Sequence, residues 1–175
     1  MDSIRDAINS GVTGEKLASI PIPSTYRAAV IEKQDEQMFA GVASRDKDPR
    51  KSIKLRDVPV PELAPDEALV AVMASSINFN TVWSAIFEPI STFGALSRLA
   101  RERAWAKRHD LPYHILGSDG SGVVLRVGTA VRNWKPGDRV TIHCNHVDDQ
   151  DPSAHDDSML GAHQRIWGYE TNFGG

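Results

Sequence analysis

Short β-prone segments separated by proline and glycine dominate the middle of this 175-residue chain. The clearest is Ala68-Leu-Val-Ala-Val-Met73, a continuous apolar run preceded by Pro65-Asp66. Residues 26–32, 53–60, 122–127 and 138–143 are also β-prone. Apolar runs of this length between turn residues predict strands rather than helices. They favour a mainly β, barrel-like domain with α insertions over alternating βα units.

Length and charge limit the class of protein. A chain of 175 residues suits one domain or slightly more. A net charge of -3 with 25% charged residues predicts no basic surface for nucleic acid. The sequence has no apolar run of about 18 residues and one cysteine, Cys144. We therefore expect a cytoplasmic protein with no nucleic-acid or membrane partner.

The chain divides into an extension and one larger domain. Residues 1–24 read as a short amphipathic helix broken by Pro21-Ile-Pro23, which predicts an N-terminal extension. Residues 25–175 form the main domain, with a helical insertion at about residues 85–113 and an acidic loop at about residues 145–163. The basic residues of the insertion lie either on a solvated helix face or on a surface for another subunit or an anionic substrate.

The loop Gly117-Ser-Asp-Gly-Ser-Gly122 has the spacing G-x-x-G-x-G. A dinucleotide-binding loop needs G-x-G-x-x-G between a strand and the start of a helix, where the pyrophosphate meets the helix N-terminus. Here the loop leads into Val123-Val-Leu-Arg-Val127, which reads as a strand. The pattern favours a bend between strands over a cofactor loop.

Histidines and the cysteine cluster in the C-terminal part of the sequence, and the candidates are His143, Cys144, His146, His155 and His163. Imidazole and thiolate are good zinc ligands, but these spacings fit no zinc-finger or HExxH pattern. A buried thiol and scattered loop histidines are the simpler interpretation.

Two asparagines and one glutamate are candidates for polar chemistry. Asn78 and Asn80 directly follow the clearest strand. Because an amide donates, accepts and does not titrate, the pair could orient a neutral substrate; the alternative is that it occupies a turn or caps a helix. Glu170 lies near Trp167 and beside Tyr169, where it could hold a water molecule or occupy a surface turn.

Several of these segments resemble the medium-chain dehydrogenase/reductase superfamily, whose catalytic domain is a GroES-like β-barrel. The resemblance rests on Gly117, Gly122 and Gly128 and on Lys135-Pro-Gly-Asp-Arg-Val140. Ser118 stands where that superfamily has a zinc-binding histidine, and Asn78 where it has a zinc-binding cysteine. The resemblance therefore implies a zinc-independent protein with no bound metal.

Within that superfamily, residues 20 to 175 resemble the crotonyl-CoA carboxylase/reductase family. The similar segments are Asn78-Phe-Asn-Thr-Val-Trp83, Ile86-Phe-Glu-Pro-Ile90, Lys107-Arg-His-Asp-Leu-Pro-Tyr-His114, Gly117-Ser-Asp119 and the segment from Arg165 to Gly175. The resemblance implies an incomplete GroES-like catalytic domain over residues 25–175, without the Rossmann domain of the family. It also implies a homo-oligomeric oxidoreductase that reduces an enoyl-CoA with NADPH and adds carbon dioxide, giving an alkylmalonyl-CoA.

The same resemblance implies roles for five residues. Asn80, Tyr169 and Glu170 map to catalytic positions around the carbon dioxide, although the family often has Phe where this chain has Tyr169. Asn78 and Thr81 map to cofactor contacts, while the C-terminal Rossmann portion would hold most of the NADPH. We expect the isolated chain to be inactive. The alternatives are a zinc-independent enoyl-CoA or quinone reductase that does not carboxylate, and a non-catalytic fragment.

Overall fold

The computed structural model describes residues 2–102, 104–146 and 164–173. The helices are α1 (Asp2–Asn9), α2 (Gly14–Ser19), α3 (Phe79–Ile86) and α4 (Thr92–Glu102). The strands are β1 (Thr25–Glu32), β2 (Lys54–Pro59), β3 (Ala68–Ala74), β4 (Tyr113–Ile115), β5 (Gly120–Val127), β6 (Arg139–Ile142), β7 (Asn145–His146) and β8 (Arg165–Ile166). Most of the predicted acidic loop, with His155 and His163, lies outside the described residues.

The five strands that the apolar runs predict are confirmed as β1, β2, β3, β5 and β6. The sequence did not predict β4, β7 and β8, which have two or three residues each. Runs this short carry too few residues to show a period-two pattern. No helix in the described parts of the chain is long and apolar enough to cross a membrane.

The chain folds as two compact units. The first contains Met1–Arg27, Asp57–Ser75 and Gly120–Ile142, and the second contains Ala28–Arg56, Ser76–Asp119 and His143–Gly175. In the first unit, β3, β5 and β6 form an antiparallel sheet in which Val72 pairs with Gly122.

The two N-terminal helices pack on β5 in the first unit. Ile4 of α1 and Leu17 of α2 form a buried apolar cluster with Val123 and Leu125. The guanidinium of Arg126 donates a hydrogen bond to the carbonyl oxygen of Leu17, 3.4 Å away. Apolar burial and this bond hold the N-terminal segment against the sheet.

Two glycines of the first unit have no room for a side chain. A Cβ atom on Gly122 would lie 2.1 Å from the carbonyl oxygen of Ala71. One on Gly128 would lie 2.2 Å from that of Ala64. The backbone approaches too closely for any other residue, which explains why glycine stands at these two positions.

The second unit has a core between β1, β4 and the helices of the insertion. Residues 30–32 of β1 pair antiparallel with β4, and β4 lies at the edge of the sheet order β2-β1-β4. Ile31, Ala85, Phe93, Leu96 and Leu116 form the buried cluster. Helix α4 and the 3₁₀ segment Ala104–His109 lie within the region whose sequence is helical in composition.

Candidate active site

Helix α3 begins at an asparagine that serves as its N-cap. Asn78 is extended (φ −118°, ψ −179°), and its Oδ1 accepts a hydrogen bond of 3.1 Å from the backbone N–H of Thr81. This bond satisfies one of the free N–H groups in the first turn. The helix-cap interpretation of Asn78 is therefore confirmed, and Asn80 falls within the first turn of the helix.

The buried hydroxyl of Ser118 joins the two asparagines. Nδ2 of Asn78 donates to Ser118 Oγ over 2.7 Å, and Nδ2 of Asn80 donates to the same oxygen over 3.2 Å. A hydroxyl oxygen has two lone pairs, so it can accept both bonds. The amide nitrogen of Asn80 is thus directed towards Ser118, which leaves its second N–H and its Oδ1 for other partners.

Asp119 lies in the loop Gly117–Gly122, called the glycine loop below, and bonds to Ser76, which precedes α3. Its Oδ1 accepts from the backbone N–H of Ser76 over 3.1 Å, and its Oδ2 accepts from the Ser76 hydroxyl over 2.5 Å. Nδ2 of Asn78 lies 3.4 Å from the same Oδ2. Sequence reasoning had given Ser118 importance only as the counterpart of a zinc ligand and had given Asp119 no role. The side chains that fix Asn78 and Asn80 are about 40 residues away, a separation at which no local pattern operates.

Tyr169 and Glu170 lie in the turn that follows β8. Glu170 closes this turn twice, because its backbone N–H donates to the carbonyl oxygen of Ile166 over 2.8 Å and its Oε2 accepts from the Ile166 N–H over 2.9 Å. The hydroxyl of Thr92 on α4 donates to the carbonyl oxygen of Tyr169. Bonds to Ile166 and to Thr92 therefore hold the backbone of Tyr169 and Glu170 in place.

The phenol of Tyr169 stays neutral at physiological pH. Its side chain is buried, and burial raises the pKa of the hydroxyl above its ordinary value of 10.0. The negative charge of the adjacent Glu170 raises that pKa further. Both causes disfavour the phenolate.

Asn172 attaches the same turn to the edge of β4. Its Oδ1 accepts from the backbone N–H of Ile115 over 3.0 Å, and its Nδ2 donates to the carbonyl oxygen of Tyr113 over 2.9 Å. Both backbone groups face away from β1, because the alternate residues Pro112 and Leu116 make the bonds to the β1 side. The amide of Asn172, which is fully buried, pairs with this edge as a peptide group of a neighbouring strand would.

The predicted site residues therefore form two groups within the second unit. Asn78, Asn80 and Thr81 are brought together at the start of α3, beside Ser118. Tyr169 and Glu170 form the other group, beside Thr92 and Ile166. Within the described ranges, no hydrogen bond joins one group to the other. The catalytic and cofactor roles of these five residues stay predictions.

The first group is poorly suited to zinc, and the loop Gly117–Gly122 is poorly suited to the phosphates of a dinucleotide. Amide and hydroxyl groups stand where thiolate and imidazole would bind zinc well. Across residues 2–102, 104–146 and 164–173, no three His, Cys, Asp or Glu side chains lie close enough to hold a metal. The glycine loop leads into β5 rather than a helix, and the carbonyl of Ala71 fills the space beside Gly122. It offers no cradle for the phosphates of NADPH.

Comparison with known proteins places this geometry in a family. The alcohol dehydrogenase GroES-like domain matches residues 64–175. The crotonyl-CoA reductase of Streptomyces avermitilis is 58% identical over 176 residues, a match that covers all of this chain and 40% of the relative. The crotonyl-CoA carboxylase/reductase of Cereibacter sphaeroides is 38% identical over 139 residues, covering 78% of this chain and 29% of the relative.

A solved structure is similar over nearly the whole chain. It is the 2-octenoyl-CoA carboxylase reductase CinF from Streptomyces sp., in complex with NADP and 2-octenoyl-CoA. The TM-score is 0.92 at 59% identity, and the match covers 99% of this chain and 38% of that one. This chain thus spans about 40% of the length of such relatives. The family match and the observed strands confirm the predicted GroES-like fold, mainly β with α insertions. The chain therefore belongs to the alcohol dehydrogenase GroES-like domain family and is similar, over nearly its whole length, to an N-terminal portion of a crotonyl-CoA reductase and of a 2-octenoyl-CoA carboxylase reductase.

Proposed function

We propose that this chain is the N-terminal part of an NADPH-dependent reductive carboxylase. The whole enzyme would convert crotonyl-CoA, or a longer 2-enoyl-CoA, and carbon dioxide to an alkylmalonyl-CoA such as ethylmalonyl-CoA. The substrates and the cofactor of relatives that are 58% and 59% identical, a crotonyl-CoA reductase and a 2-octenoyl-CoA carboxylase reductase in complex with NADP, support the substrate class and the cofactor. The C-terminal Rossmann portion and further copies of the whole enzyme would be its partners, and no metal would take part.

The network of Asn78, Ser118 and Asn80 is the observation that carries this proposal. After hydride addition, the enolate of the substrate can react with carbon dioxide or with a proton. An asparagine amide can donate a hydrogen bond to an oxygen of carbon dioxide, and it has no proton acidic enough to quench the enolate. Ser118 fixes the nitrogen end of Asn80, so one N–H of Asn80 keeps a constant direction.

We assign Tyr169 and Glu170 to the boundary of the carbon dioxide site. The buried ring of Tyr169 would exclude water from the enolate, since its hydroxyl remains a neutral phenol. Glu170 uses Oε2 to accept from the N–H of Ile166, so Oε1 is the oxygen that would hold a water molecule in place. A water fixed in this way is kept away from the reacting carbon.

We assign only minor cofactor contacts to this chain. NADPH supplies the hydride when it is bound, and its phosphates would be held by the Rossmann portion. Thr81 Oγ1 lies 3.4 Å from Oδ1 of Asn78, and this polar pair at the start of α3 would contact the nicotinamide end. The isolated chain should therefore bind NADPH weakly and reduce no substrate.

Reduction without carboxylation is the second candidate. The relative from Streptomyces avermitilis is named a crotonyl-CoA reductase, and that name includes no carboxylation. In this case a proton would reach the enolate, and the product would be the saturated acyl-CoA. The residues of this chain would then position the enoyl group without binding carbon dioxide.

One experiment separates these functions. The chain is fused to the remaining C-terminal portion of the Streptomyces avermitilis relative, which gives a complemented enzyme. Purified enzyme receives crotonyl-CoA, NADPH and ¹³C-bicarbonate, and both acyl-CoA products are quantified. The proposal predicts that labelled ethylmalonyl-CoA predominates and that the isolated chain forms neither product. Butyryl-CoA as the sole product would support reduction without carboxylation. A complemented enzyme that binds NADPH without consuming it would reject both candidate functions.

A further inference from the structure

His114 on β4 makes one strong contact from a fully buried position. Its Nε2 lies 2.9 Å from the carbonyl oxygen of Gly168, and the residue is 0% exposed. A carbonyl oxygen only accepts, so Nε2 must carry the hydrogen. Nδ1 of the neutral ring is then a bare acceptor, and it has no hydrogen-bond partner among the described residues.

The carbonyl that His114 contacts belongs to the peptide bond that leads into Tyr169. The N–H of the same peptide group donates to the carbonyl oxygen of Ile166 over 3.1 Å. The next peptide group is held in the same manner, since Thr92 donates to its oxygen and its N–H also reaches Ile166. All four polar groups of the peptides flanking Tyr169 Cα are occupied, and His114 supplies one of the two bonds that come from side chains.

The buried histidine lowers the stability of the fold at one atom, Nδ1, and an apolar residue would lower it at another. Burial of Nδ1 without a partner opposes folding. Replacing the ring with a hydrocarbon would remove that cost but would leave the carbonyl oxygen of Gly168 without its donor. Gly168 itself has a left-handed backbone (φ +73°), so its peptide orientation is not the one the chain would prefer with another residue. The contribution of His114 to the fold is therefore the hydrogen bond that Nε2–H donates to the carbonyl oxygen of Gly168.

We propose that His114 is a positioning residue for Tyr169 and Glu170: its Nε2–H orients the Gly168 carbonyl and thereby the direction in which both side chains leave the turn. The inference rests on the proposed function, in which these two side chains border the carbon dioxide. Burial lowers the pKa of His114 to about 4, so the ring remains a neutral donor throughout the working pH range. His114 contacts backbone and needs no contact with substrate.

Two substitutions separate the donor from the shape of the ring. The amide nitrogen of Gln reaches roughly as far as Nε2, whereas that of Asn reaches only as far as Nδ1. In the complemented enzyme, His114→Gln should keep the ratio of ethylmalonyl-CoA to butyryl-CoA within about twofold of the wild type. His114→Asn should lower that ratio by about fivefold or more, as expected for loss of one hydrogen bond, with a smaller effect on NADPH consumption.

The neighbouring substitution Ile115→Val is the matched control. It removes one buried methyl group from the same strand and leaves the histidine donor intact. The ratio should not change in this variant. If His114→Asn does not fold, His114→Met supplies the donor-free variant. Three results would each overturn the positioning role. The product ratio could be the same in all variants, it could fall equally in His114→Gln and His114→Asn, or it could fall as far in Ile115→Val as in His114→Asn.

Amide hydrogen exchange gives a readout that does not depend on carboxylation. The Tyr169 N–H belongs to the peptide group that His114 holds, so it should exchange about fivefold faster in His114→Asn and near the wild-type rate in His114→Gln. An unchanged rate in the Asn or Met variant would reject the inference. If the wild-type complemented enzyme forms only butyryl-CoA, the proposed function fails, and the exchange rates still decide the role of His114.

Discussion

The side-chain amide of Asn80 donates a hydrogen bond to the hydroxyl oxygen of Ser118, 3.2 Å away. The two residues are 38 positions apart, and the same oxygen also accepts from Asn78. One buried hydroxyl thus sets the orientation of two amides. Two of the three residues, Asn78 and Ser118, stand where the superfamily resemblance puts metal ligands.

Removing the Ser118 hydroxyl should disturb carboxylation more than reduction. In Ser118→Ala, the Asn80 amide loses its acceptor, while Asn78 keeps only the longer contact to Asp119 Oδ2, so the direction of the Asn80 N–H becomes variable. We expect the ratio of ethylmalonyl-CoA to butyryl-CoA formed by the complemented enzyme to fall about fivefold or more, since one hydrogen bond contributes about 1 kcal/mol. The product ratio at fixed bicarbonate is the measurement.

Ser84→Ala is the matched control for this variant. Ser84 is also buried, but its hydroxyl has no partner among the described residues. The same substitution there should leave the product ratio unchanged and should not lower the melting temperature. If Ser84→Ala and Ser118→Ala change the ratio equally, the effect is one of packing and not of amide orientation.

Asn172→Leu should remove the hydrogen bonds at the outer edge of β4. The substitution nearly conserves volume but leaves the N–H of Ile115 and the carbonyl of Tyr113 buried without partners. Each such group costs about 1 to 3 kcal/mol, so the Ile115 N–H should exchange with solvent about 10- to 100-fold faster. The Leu116 N–H bonds to Ala29 on the β1 side and serves as the internal control. Equal acceleration at both amides would mean that the whole strand has loosened and that Asn172 has no specific role at the edge.

The sequence predicted most of the strands and few of the contacts that form the site. Ala68–Ala74 is a continuous apolar run and Gly120–Val127 contains the apolar run Val123-Val-Leu125, and turn residues lie beside both, so the hydrophobic pattern was sufficient. Strand β4 has only three residues, and its edge is paired with a side chain 57 positions away. Such pairing depends on tertiary packing and leaves no periodic pattern.

The sequence also predicts only part of the candidate site, because several of its contacts depend on tertiary packing. Asn78 could be recognised because a cap directly follows a strand and precedes a helix. Glu170 is a candidate because a carboxylate lies near Trp167 and beside Tyr169, whereas the role of Tyr169 follows only from the resemblance. Ser118, Thr92 and His114 act on these residues from other segments, and a single sequence gives no signal for contacts across such separations.

Acidification should destabilise the chain through His114. Burial lowers the pKa of the folded ring to about 4 from an ordinary value of 6.5, and the bond to Gly168 opposes this shift only partly. The unfolded chain therefore binds more protons between these values. The stability contributed by the neutral ring is complete above pH 6.5 and is lost as the pH falls towards 4.

The expected loss between pH 7 and pH 5 is about 2 kcal/mol from this residue. It can be measured as the difference in urea unfolding free energy between the wild-type chain and His114→Gln at both pH values. The glutamine does not titrate, so its variant should lose less stability over the same interval. Parallel losses in the two proteins would show that the buried histidine does not titrate as its environment indicates.

Zinc should not copurify with the protein in stoichiometric amount. Asn78 and Ser118 offer an amide and a hydroxyl, and both are already hydrogen-bonded to each other. Zinc in proteins prefers thiolate and imidazole ligands, usually four in a tetrahedral arrangement. Elemental analysis of dialysed protein should find well below one zinc per chain. One zinc per chain that resists a chelator would contradict the assignment of these two residues.

Asn80→Leu should separate carboxylation from hydride transfer in the complemented enzyme. Leucine is similar in size to asparagine but cannot donate to an oxygen of carbon dioxide. A hydrogen bond of about 1 to 3 kcal/mol in a dry site corresponds to about 5- to 100-fold less capture of the enolate by carbon dioxide. Hydride transfer does not use that bond, so NADPH consumption should change little and butyryl-CoA should replace ethylmalonyl-CoA.

Two companion variants make the Asn80 result specific. Glu170→Gln should shift the product ratio in the same direction but less strongly, because it alters a held water and leaves the direct amide contact intact. Asn133→Leu makes the same substitution at an exposed position of the first unit and should have no effect. If Asn80→Leu leaves the ratio unchanged, or lowers both products equally, then Asn80 only packs in the first turn of α3. The carbon dioxide would in that case have to be bound by other residues.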